Sequence, residues 1–435
     1  MLALPRLVFA ITLGASLLAQ APAPIPPTAI AQFAETLDGF GRAGRFAGVA
    51  LVVQGDKVLL QRNYGMADLA HAAPNGPNTR FNLASVGKLF TAVSILQLVQ
   101  AGKVTLDAKV GSYLPDYPNA AVRDSVTLRH LLHHASGLDD IFTEPYEQAG
   151  KERFREPKDF LPLFADKALA FEPGTDMRYS NAGFLVLGLV IEKVSGQSYF
   201  EFVERSVFQP AGMKDSGFFE ADEPTKELAV GYLPNKARPG HWRTNTFLHV
   251  VKGGPAGGGY ATAADLERFV RALVGGKLLD AKHTRMALTP QAPGQGEAYG
   301  VMRVKDHTIL GHAGGFPGIA ASVNHCVETG LTVILLSNQD RAAWMFLDIA
   351  SQRLIAGDLP HHADFDFTQS AITLTAEKGI AAGLAFTKAR AGQNLLGPLL
   401  QEAADEALWE GRKQQGADLL ELLRATSPDD GAQRR

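Results

Sequence analysis

The stretch Phe81-Asn82-Leu83-Ala84-Ser85-Val86-Gly87-Lys88 places a serine and a lysine three residues apart, directly before an apolar segment. The apolar residues of that segment recur every three or four positions, which predicts a helix: Leu89, Val93, Leu96 and Val99. Gly102 is placed to end this helix. Ser85 and Lys88 would then lie on one face at the helix start, one turn apart.

This pair is a candidate for nucleophilic catalysis. A serine hydroxyl is a poor nucleophile at neutral pH and needs a neighbouring base. A desolvated lysine near other cations can lose its proton and serve as that base. The helix N-terminus would also present N–H groups and a positive dipole to an oxyanion forming at Ser85. Taken alone, the pair also fits an N-cap serine followed by a surface lysine, so further motifs must decide.

A second candidate is Tyr179-Ser180-Asn181, which lies just ahead of an apolar segment that predicts a helix from Asn181. A phenol close to a serine and a lysine can relay protons, and an asparagine amide can hold a substrate carbonyl or the lysine. Tyr117-Pro118-Asn119 has the same spacing. There the proline and the neighbouring turn residues favour an exposed loop, so we favour Tyr179 and Asn181.

A third candidate is Gly311-His312-Ala313-Gly314-Gly315, at the end of a β-rich run. An edge strand there could align with an extended substrate, and its glycines would allow close approach of the backbone. Lys252-Gly253-Gly254 offers a cation and glycines in the same order. That triplet opens a Gly-rich stretch, up to Gly259, that is typical of a loop, so we favour His312.

The three motifs together resemble a known family. Ser85-x-x-Lys88, Tyr179-x-Asn181 and His312-x-Gly314 occur in the order used by serine β-lactamases and penicillin-binding proteins. This family includes class C β-lactamases, D-stereospecific peptidases and esterase-like serine hydrolases. Three further stretches are similar to that family: 81–85, 130–138 and 255–266. The resemblance covers roughly residues 30–357, which we expect to form the hydrolase domain.

The resemblance implies a role for each residue. Ser85 would attack a carbonyl, and Lys88 and Tyr179 would share the general-base and general-acid work. Asn181 would orient the substrate, and the backbone N–H groups of Ser85 and Gly315 would hold the oxyanion. The expected reaction is acyl transfer through a covalent ester at Ser85, followed by attack of water, with neither a metal nor an organic cofactor.

One departure from the family pattern bears on the substrate. His312-Ala313-Gly314 stands where β-lactamases usually carry Lys-Thr/Ser-Gly, so a fixed cation is lost or made pH-dependent, and Ala313 removes a hydroxyl donor. With His312, Gly314 and Gly315 as substrate-binding residues, the chain resembles D-stereospecific peptidases and esterases more than efficient β-lactamases. No glutamate is placed as a separate deacylating base, which favours a class C-like arrangement. The expected substrate is a small ester, a peptide or a β-lactam.

The order of elements predicts an α+β fold. Two β-rich runs flank Gln54-Gly55-Asp56 and predict a hairpin, and helical spacing dominates from about 85 to 275. Further β-rich runs follow at 299–304, 307–312, 318–326 and 331–337. We therefore expect one antiparallel sheet built from the N- and C-terminal parts and flanked by helices, with an all-helical region inserted between them. The resemblance implies the same β-lactamase/transpeptidase-like fold.

The residues after this domain also show helical spacing. Two helices are predicted near 393–411 and 416–425, and we interpret residues 365–435 as a small helical appendage packed on the domain. The alternative is a module that docks a protein partner. In that second hypothesis the protein has kept the fold but lost turnover, and acts as a penicillin-binding or scaffolding protein.

The N-terminus resembles a secretory signal peptide over residues 1–21. Arg6 precedes an apolar stretch from Leu7 to Leu18, and small residues follow at Ala19 and Ala21. This stretch is shorter than the ~20 residues that a membrane-spanning helix needs. We therefore expect export to the periplasm or the medium without a stable membrane span. The single cysteine, Cys326, rules out an intrachain disulfide.

Composition and the remaining motifs exclude other classes. The formal net charge is -3, and no Lys/Arg run offers the basic stripe that nucleic-acid binding needs. His130, His133 and His134 have the spacing of a metal site on a helix, but the carboxylate and further histidines of a hydrolytic zinc site are not grouped with them. A Ser-His-Asp hydrolase is not expected, because no serine lies in a Gly-x-Ser-x-Gly elbow.

Overall fold

The computed structural model describes residues 24–235, 237–238, 240–290, 300–339, 341–390, 394–409 and 412–426. The expected signal peptide, residues 1–21, lies outside the described residues. In the part that is described, no helix combines the length and the apolar character needed to cross a membrane.

The predicted hairpin around Gly55 is present, and it lies in a larger antiparallel sheet. The strands of the described residues are β1 (Gly48–Gln54), β2 (Lys57–Tyr64), β3 (Met66–Asp68), β4 (Ala73–Pro74), β5 (Phe81–Asn82), β6 (Tyr232–Pro234), β7 (Trp242–Thr244), β8 (Tyr260–Ala261), β9 (Val301–Val304), β10 (His307–Phe316), β11 (Ile319–Cys326) and β12 (Leu331–Ser337). The main sheet has the order β2-β1-β12-β11-β10-β9.

The N-terminal and C-terminal groups of strands meet in this sheet. Strand β1 pairs antiparallel with β12, from Gly48 opposite Ser337 to Gln54 opposite Leu331. The predicted assembly of one sheet from N- and C-terminal parts is therefore confirmed. Strand β10 runs to Phe316, beyond the predicted end at 312, and so carries the whole of the His312 motif.

In the described part of the chain, one helix precedes β1, most of the others lie between β2 and β9 together with the short strands β3–β8, and the rest follow β12. They are α1 (Pro27–Arg42), α2 (Lys88–Gln100), α3 (Ala120–Ser125), α4 (Leu128–Leu132), α5 (Glu144–Gln148), α6 (Leu161–Phe164), α7 (Asn181–Ser195), α8 (Tyr199–Val203), α9 (Gln209–Ala211), α10 (Ala263–Val274), α11 (Ala281–Ala287), α12 (Arg341–Ile355), α13 (His362–Lys378), α14 (Ile380–Lys388), α15 (Gly397–Trp409) and α16 (Lys413–Thr426). The predicted α+β fold, with a helical region inserted between two groups of strands, is confirmed.

Both faces of the sheet are buried, each in its own hydrophobic core. Successive side chains of a strand point to opposite faces. Val49 and Leu51 of β1 therefore join the core formed with the inserted helices, whereas Ala50 and Val52 join a second core on the other side. This double burial explains why β12 is apolar almost throughout rather than alternating, since all of its residues are buried.

The C-terminal helices belong to the second core. Phe365 of α13, Leu400 of α15 and Leu422 of α16 are buried there together with Phe33 of α1 and Leu347 of α12. The first of these helices starts at His362, three residues before the predicted start of the appendage. Burying large apolar side chains against the sheet gives these helices a structural role.

Candidate active site

The candidate nucleophile lies on a strained turn. Residues Ala84–Gly87 form a short 3-10 helix, and Lys88 is the first residue of α2. Ala84 has φ 42°, an uncommon value for a residue with a side chain. Its N–H donates to Asn82 Oδ1 over 2.9 Å, and its carbonyl accepts from Gly258 N–H over 2.7 Å. These bonds hold Ser85 one turn ahead of the helix proper.

The structure brings Ser85, Lys88 and Tyr179 together. Lys88 Nζ donates to Ser85 Oγ over 3.2 Å, and Tyr179 Oη donates to the same Oγ over 2.9 Å. Lys88 is 1% exposed, and Tyr179 is 42% exposed. One serine hydroxyl thus contacts a buried amine and a phenol at the edge of solvent, and either group could exchange a proton with it.

Two further acceptors fix the lysine. Lys88 Nζ donates to Asn181 Oδ1 over 2.7 Å and to the carbonyl of Ala256. Asn181 is the first residue of α7, which Ser180 caps by accepting from Gly183 N–H. The lysine nitrogen therefore has three oxygen partners. From the sequence, the amide of Asn181 was expected to hold either a substrate carbonyl or the lysine, and in the structure it contacts Lys88.

A carboxylate missed by the sequence analysis orients Asn181. Asn181 Nδ2 donates to both carboxylate oxygens of Asp140, over 3.1 and 3.0 Å. The amide nitrogen must therefore point to Asp140 and the amide oxygen to Lys88, since a carboxylate only accepts when ionised. No spacing in the sequence relates Asp140 to Asn181, which lies 41 residues further along the chain.

The ring of His134 packs against the ring of Tyr179. The two rings stack with centroids 4.3 Å apart, and His134 Nδ1 accepts from Ser180 N–H over 3.1 Å. Burial and the nearby charge of Lys88 lower the pKa of His134 to about 3, so the ring is neutral at neutral pH. Since α4 ends at Leu132 and His134 has φ 56°, the helical spacing considered for a metal site is not realised.

Strand β10 passes close to the turn that carries Ser85. Strand β9 pairs only with residues 307–310 of β10, so the segment from His312 onward pairs with β11 alone among the described residues. A Cβ at Gly314 would lie 2.6 Å from Ser85 N and 2.7 Å from Leu83 O. Glycine is required there because the two backbones are in contact, and Gly315 lines the same cleft as Ser85.

His312 is half-buried on β10 and carries no positive charge at neutral pH. Its Nδ1 is 2.5 Å from the carbonyl of Ala313. Burial and the charge of Lys88 lower the pKa of His312 to about 4. The sequence predicted that a fixed cation is either lost here or depends on pH. The structure favours a neutral imidazole above about pH 4, so the cation is lost at neutral pH.

The two rival motifs have other roles. Lys252 lines the cleft, but its Nζ lies 3.0 Å from Glu220 in an ion pair and 4.3 Å from the ring centre of Phe200. Tyr117 is buried rather than exposed, which corrects the expectation of an exposed loop. Asn119 caps α3 by accepting from backbone N–H groups.

An open cleft lies beside Ser85, with about 710 Å³ of space when the part open to solvent is included. Its polar lining includes Asn82, Ser85, Asn181 and Lys252. The apolar wall is formed by Ile141, Phe142, Tyr146, Phe160, Leu185, Phe316 and Ile319. Such a cleft, apolar with a few convergent polar groups, suits a small organic substrate whose reacting carbonyl lies at Ser85.

A serine hydroxyl held between a lysine and a tyrosine, on a mixed fold of helices and antiparallel sheet, defines the class of serine hydrolases with a β-lactamase fold. A family model described as Beta-lactamase matches residues 33–357. The chain belongs to this family.

Relatives and solved structures agree with this assignment. Penicillin-binding protein 4* of Bacillus subtilis is 29% identical over 318 residues, covering 69% of this chain and 70% of that protein. Esterase EstB of Burkholderia gladioli is 35% identical over 217 residues, covering 47% of this chain and 55% of that protein. The crystal structure of a penicillin-binding protein from Bacillus halodurans has a TM-score of 0.67 and 34% identity, covering 74% of this chain and 98% of that one.

Proposed function

We propose that this protein hydrolyses carboxylic esters with an apolar acyl group, through a covalent acyl-enzyme at Ser85. The observation that carries the proposal is the position of Ser85 Oγ, which is hydrogen-bonded to both Lys88 and Tyr179 at the mouth of an apolar cleft. Cleavage of small D-amino-acid amides or peptides is the second candidate, since it would use the same acyl-enzyme.

In the acylation step, Ser85 Oγ attacks the substrate carbonyl carbon. Its proton passes to Lys88 or Tyr179, whichever has first given up its own proton, and the acceptor then protonates the leaving alkoxide. The carbonyl oxygen becomes an oxyanion, which the N–H groups of Ser85 and Gly315 would stabilise at the edge of β10. One such donor is commonly worth about 3–4 kcal/mol of the barrier.

In the deacylation step, water attacks the ester at Ser85, and the same two groups act in reverse. Within the described part of the chain, the residues that line the cleft include neither aspartate nor glutamate. Both carboxylate oxygens of Asp140 already accept hydrogen bonds from the amide of Asn181. A separate carboxylate base is therefore not part of the proposal, in keeping with the class C-like arrangement expected from the sequence.

Three structural features favour esters over β-lactams. The neutral His312 offers no cation for the carboxylate that β-lactam substrates carry. Lys252, the cation that lines the cleft, is paired with Glu220. The wall facing Ser85 is apolar and aromatic, which suits an uncharged acyl group. The similarity to an esterase over about half of the chain supports the same choice.

The test combines covalent labelling and turnover. Purified protein is treated with a fluorophosphonate and, separately, with a penicillin, and intact mass is measured for the wild type, Ser85→Ala and the exposed control Ser125→Ala. Turnover of p-nitrophenyl esters, D-Ala-D-Ala peptides and nitrocefin is then compared. We expect one fluorophosphonate adduct, absent only in Ser85→Ala, and ester turnover well above that of the other substrates.

Other outcomes point elsewhere. Turnover of the D-peptides in preference to esters would replace the first candidate by the second. A stable penicillin adduct at Ser85 without any turnover would favour the penicillin-binding alternative. Absence of any Ser85-dependent adduct would overturn the enzyme hypothesis and direct attention to the C-terminal helices as a docking surface.

Export is a separate proposal that rests on the sequence of residues 1–21. We propose that the mature protein begins near Ala19 or Ala21 and works in the periplasm or outside the cell. N-terminal sequencing of the protein recovered from each cellular fraction tests this. Recovery of the full N-terminus from the cytoplasmic fraction alone would contradict it.

A further inference from the structure

A group of three metal-binding side chains lies at the end of the sheet remote from Ser85. His307 begins β10, Cys326 ends β11, and Glu328 follows in the connection to β12. Cys326 pairs with Ile309, two residues after His307, so His307 and Cys326 are diagonal neighbours on the same face of the sheet. The hydrogen-bond register of the hairpin thus brings imidazole, thiol and carboxylate together.

We propose that His307, Cys326 and Glu328 bind one Zn²⁺ ion. Cys326 Sγ lies 3.6 Å from His307 Nδ1 and 3.4 Å from Glu328 Oε2. In a tetrahedral zinc site with Zn–S near 2.3 Å and Zn–N or Zn–O near 2.0–2.1 Å, these separations are about 3.5–3.6 Å. The three donor atoms all lie within 4.8 Å of one another. Two of the three separations therefore match a zinc tetrahedron, and the third, between His307 and Glu328, is at most 4.8 Å.

The chemistry of the donors selects the ion. Thiolate and imidazole ligands favour Zn²⁺ over hard ions such as Mg²⁺ and Ca²⁺. On binding, the S–H of Cys326 releases its proton to water and the sulfur forms the bond to zinc. Glu328 is already oriented, because its two carboxylate oxygens accept from Thr308 N–H over 3.0 and 2.9 Å. Such an outer hydrogen bond commonly fixes a ligating carboxylate.

The three side chains differ in exposure, and this difference leaves one side of the group open to solvent. Cys326 is buried, His307 is half-buried, and Glu328 is exposed, so a metal could enter from the Glu328 side. A water molecule would complete four-coordination on that side. The ion would link the start of β10 to the end of β11. We therefore propose a structural role for it, at the opposite end of β10 from His312 and Gly315.

This site is separate from the candidate active site. Gly315 is eight residues beyond His307 along β10, or ~26 Å at the rise of an extended strand. We therefore expect turnover to survive removal of the metal. The proposal is independent of the proposed function, and its test can succeed whether or not the protein hydrolyses esters.

The experiment uses the untagged full chain, reduced and stripped of metal. Co²⁺ is titrated in and absorption is recorded, since a Cys ligand gives a thiolate-to-cobalt charge-transfer band and a tetrahedral site gives intense ligand-field bands. Zn²⁺ affinity is then measured by competition with a chromophoric chelator. We expect one Co²⁺ per chain with both signatures, displacement by Zn²⁺, and a higher melting temperature with Zn²⁺.

Variants assign the ligands. Cys326→Ser should lose the charge-transfer band, and His307→Ala and Glu328→Gln should each weaken Zn²⁺ binding at least about tenfold. The matched control is His71→Ala, because His71 forms an exposed pair with Asp68 that lacks a sulfur. It should leave Zn²⁺ affinity unchanged.

Three results would overturn the proposal. The first is wild-type protein without a thiolate-to-cobalt band. The second is Zn²⁺ affinity that His307→Ala and Glu328→Gln both leave unchanged, a criterion that holds even if Cys326→Ser fails to fold. The third is an equal loss of affinity in His71→Ala, which would assign binding to surface histidines.

Discussion

The imidazole of His134 stacks against the ring of Tyr179, with centroids 4.3 Å apart and 27° between the ring planes. Tyr179 is half exposed, yet its hydroxyl reaches Ser85 Oγ over 2.9 Å. Since exposed side chains normally sample several rotamers, we infer that this stack helps to keep the phenol over the nucleophile, together with Lys88, whose Nζ lies 4.9 Å from the ring centre. The neutral state of His134 matters here, because a charged ring would lie close to the ammonium of Lys88.

The first prediction concerns this stack. His134→Asn tolerates the left-handed backbone at this position but removes the ring. Because aromatic pairs contribute about 0.5–1.5 kcal/mol, we expect kcat for ester hydrolysis to fall by a factor of about 2–12, with a smaller change in KM. Steady-state kinetics beside His71→Asn, a control on an exposed histidine, checks this. An unchanged kcat would show that Tyr179 does not depend on His134.

The second prediction concerns Asp140, which holds the amide of Asn181 so that its oxygen faces Lys88. Asp140→Ala leaves that amide free to rotate. Hydrogen bonds to charged groups are worth about 1.5–3 kcal/mol, so kcat should fall about 10- to 150-fold if the orientation is needed in the transition state.

The neighbouring substitution Asp139→Ala is the matched control for this change. It removes an ion pair with Arg178 whose side chains are both partly exposed, and we expect kcat to stay within about twofold, as for other exposed pairs. Melting temperatures of both variants show whether folding is affected. Equal kcat values for the two variants would contradict a positioning role for Asp140.

The sequence predicted the parts of the candidate site that depend on helix periodicity and strand order. Ser85 and Lys88 are one helical turn apart, so local geometry alone joins them. Tyr179 and His312 were associated with that pair through the resemblance. The carbonyl of Ala256 and the carboxylate of Asp140 were missed, because a backbone oxygen has no sequence signature and Asp140 meets Asn181 only through the tertiary fold.

In the fold, too, the local features were predicted from the sequence and the long-range ones were not. The hairpin at Gly55 was predicted from a turn between two β-rich runs, and α7 from the apolar segment that begins at Asn181. Helix starts and hairpins are short-range features. The extension of β10 to Phe316 depends on pairing with β11, and the burial of the C-terminal helices depends on the second face of the sheet. Such long-range pairings leave little trace in local spacing.

The third prediction tests the contact between β10 and the nucleophile turn. Gly314→Ala would place a Cβ 2.6 Å from Ser85 N, so either β10 or the turn must move. Overpacking of this kind costs about 1–3 kcal/mol, and a displaced N–H at Ser85 should lower kcat/KM at least about tenfold. The control is Gly254→Ala in the same cleft, where a Cβ would meet nothing within 4 Å.

We expect Gly254→Ala to retain wild-type kcat/KM and melting temperature. If Gly314→Ala matched it in both measurements, the close approach of β10 to Ser85 would not be required for activity, and the proposed oxyanion site between Ser85 and Gly315 would need to be reconsidered.

The last prediction is the pH dependence of stability. Burial lowers the pKa of His325 to about 4, and burial with the charge of Lys88 lowers those of His134 and His312 to about 3 and about 4. In the unfolded chain a histidine titrates near 6.5, so below about pH 6.5 the unfolded state binds more protons than the folded state. The free energy of unfolding should therefore decrease as the pH falls from about 6.5 to 4, by up to about 1.4 kcal/mol per pH unit for each histidine.

The substitution His325→Gln removes one of these groups at a site away from Ser85, where His325 Nδ1 is hydrogen-bonded to Thr332 over 2.8 Å. Urea unfolding at several pH values should show a shallower loss of stability for this variant than for the wild type. Equal slopes for His325→Gln and the wild type would mean that His325 keeps its ordinary pKa in the folded protein.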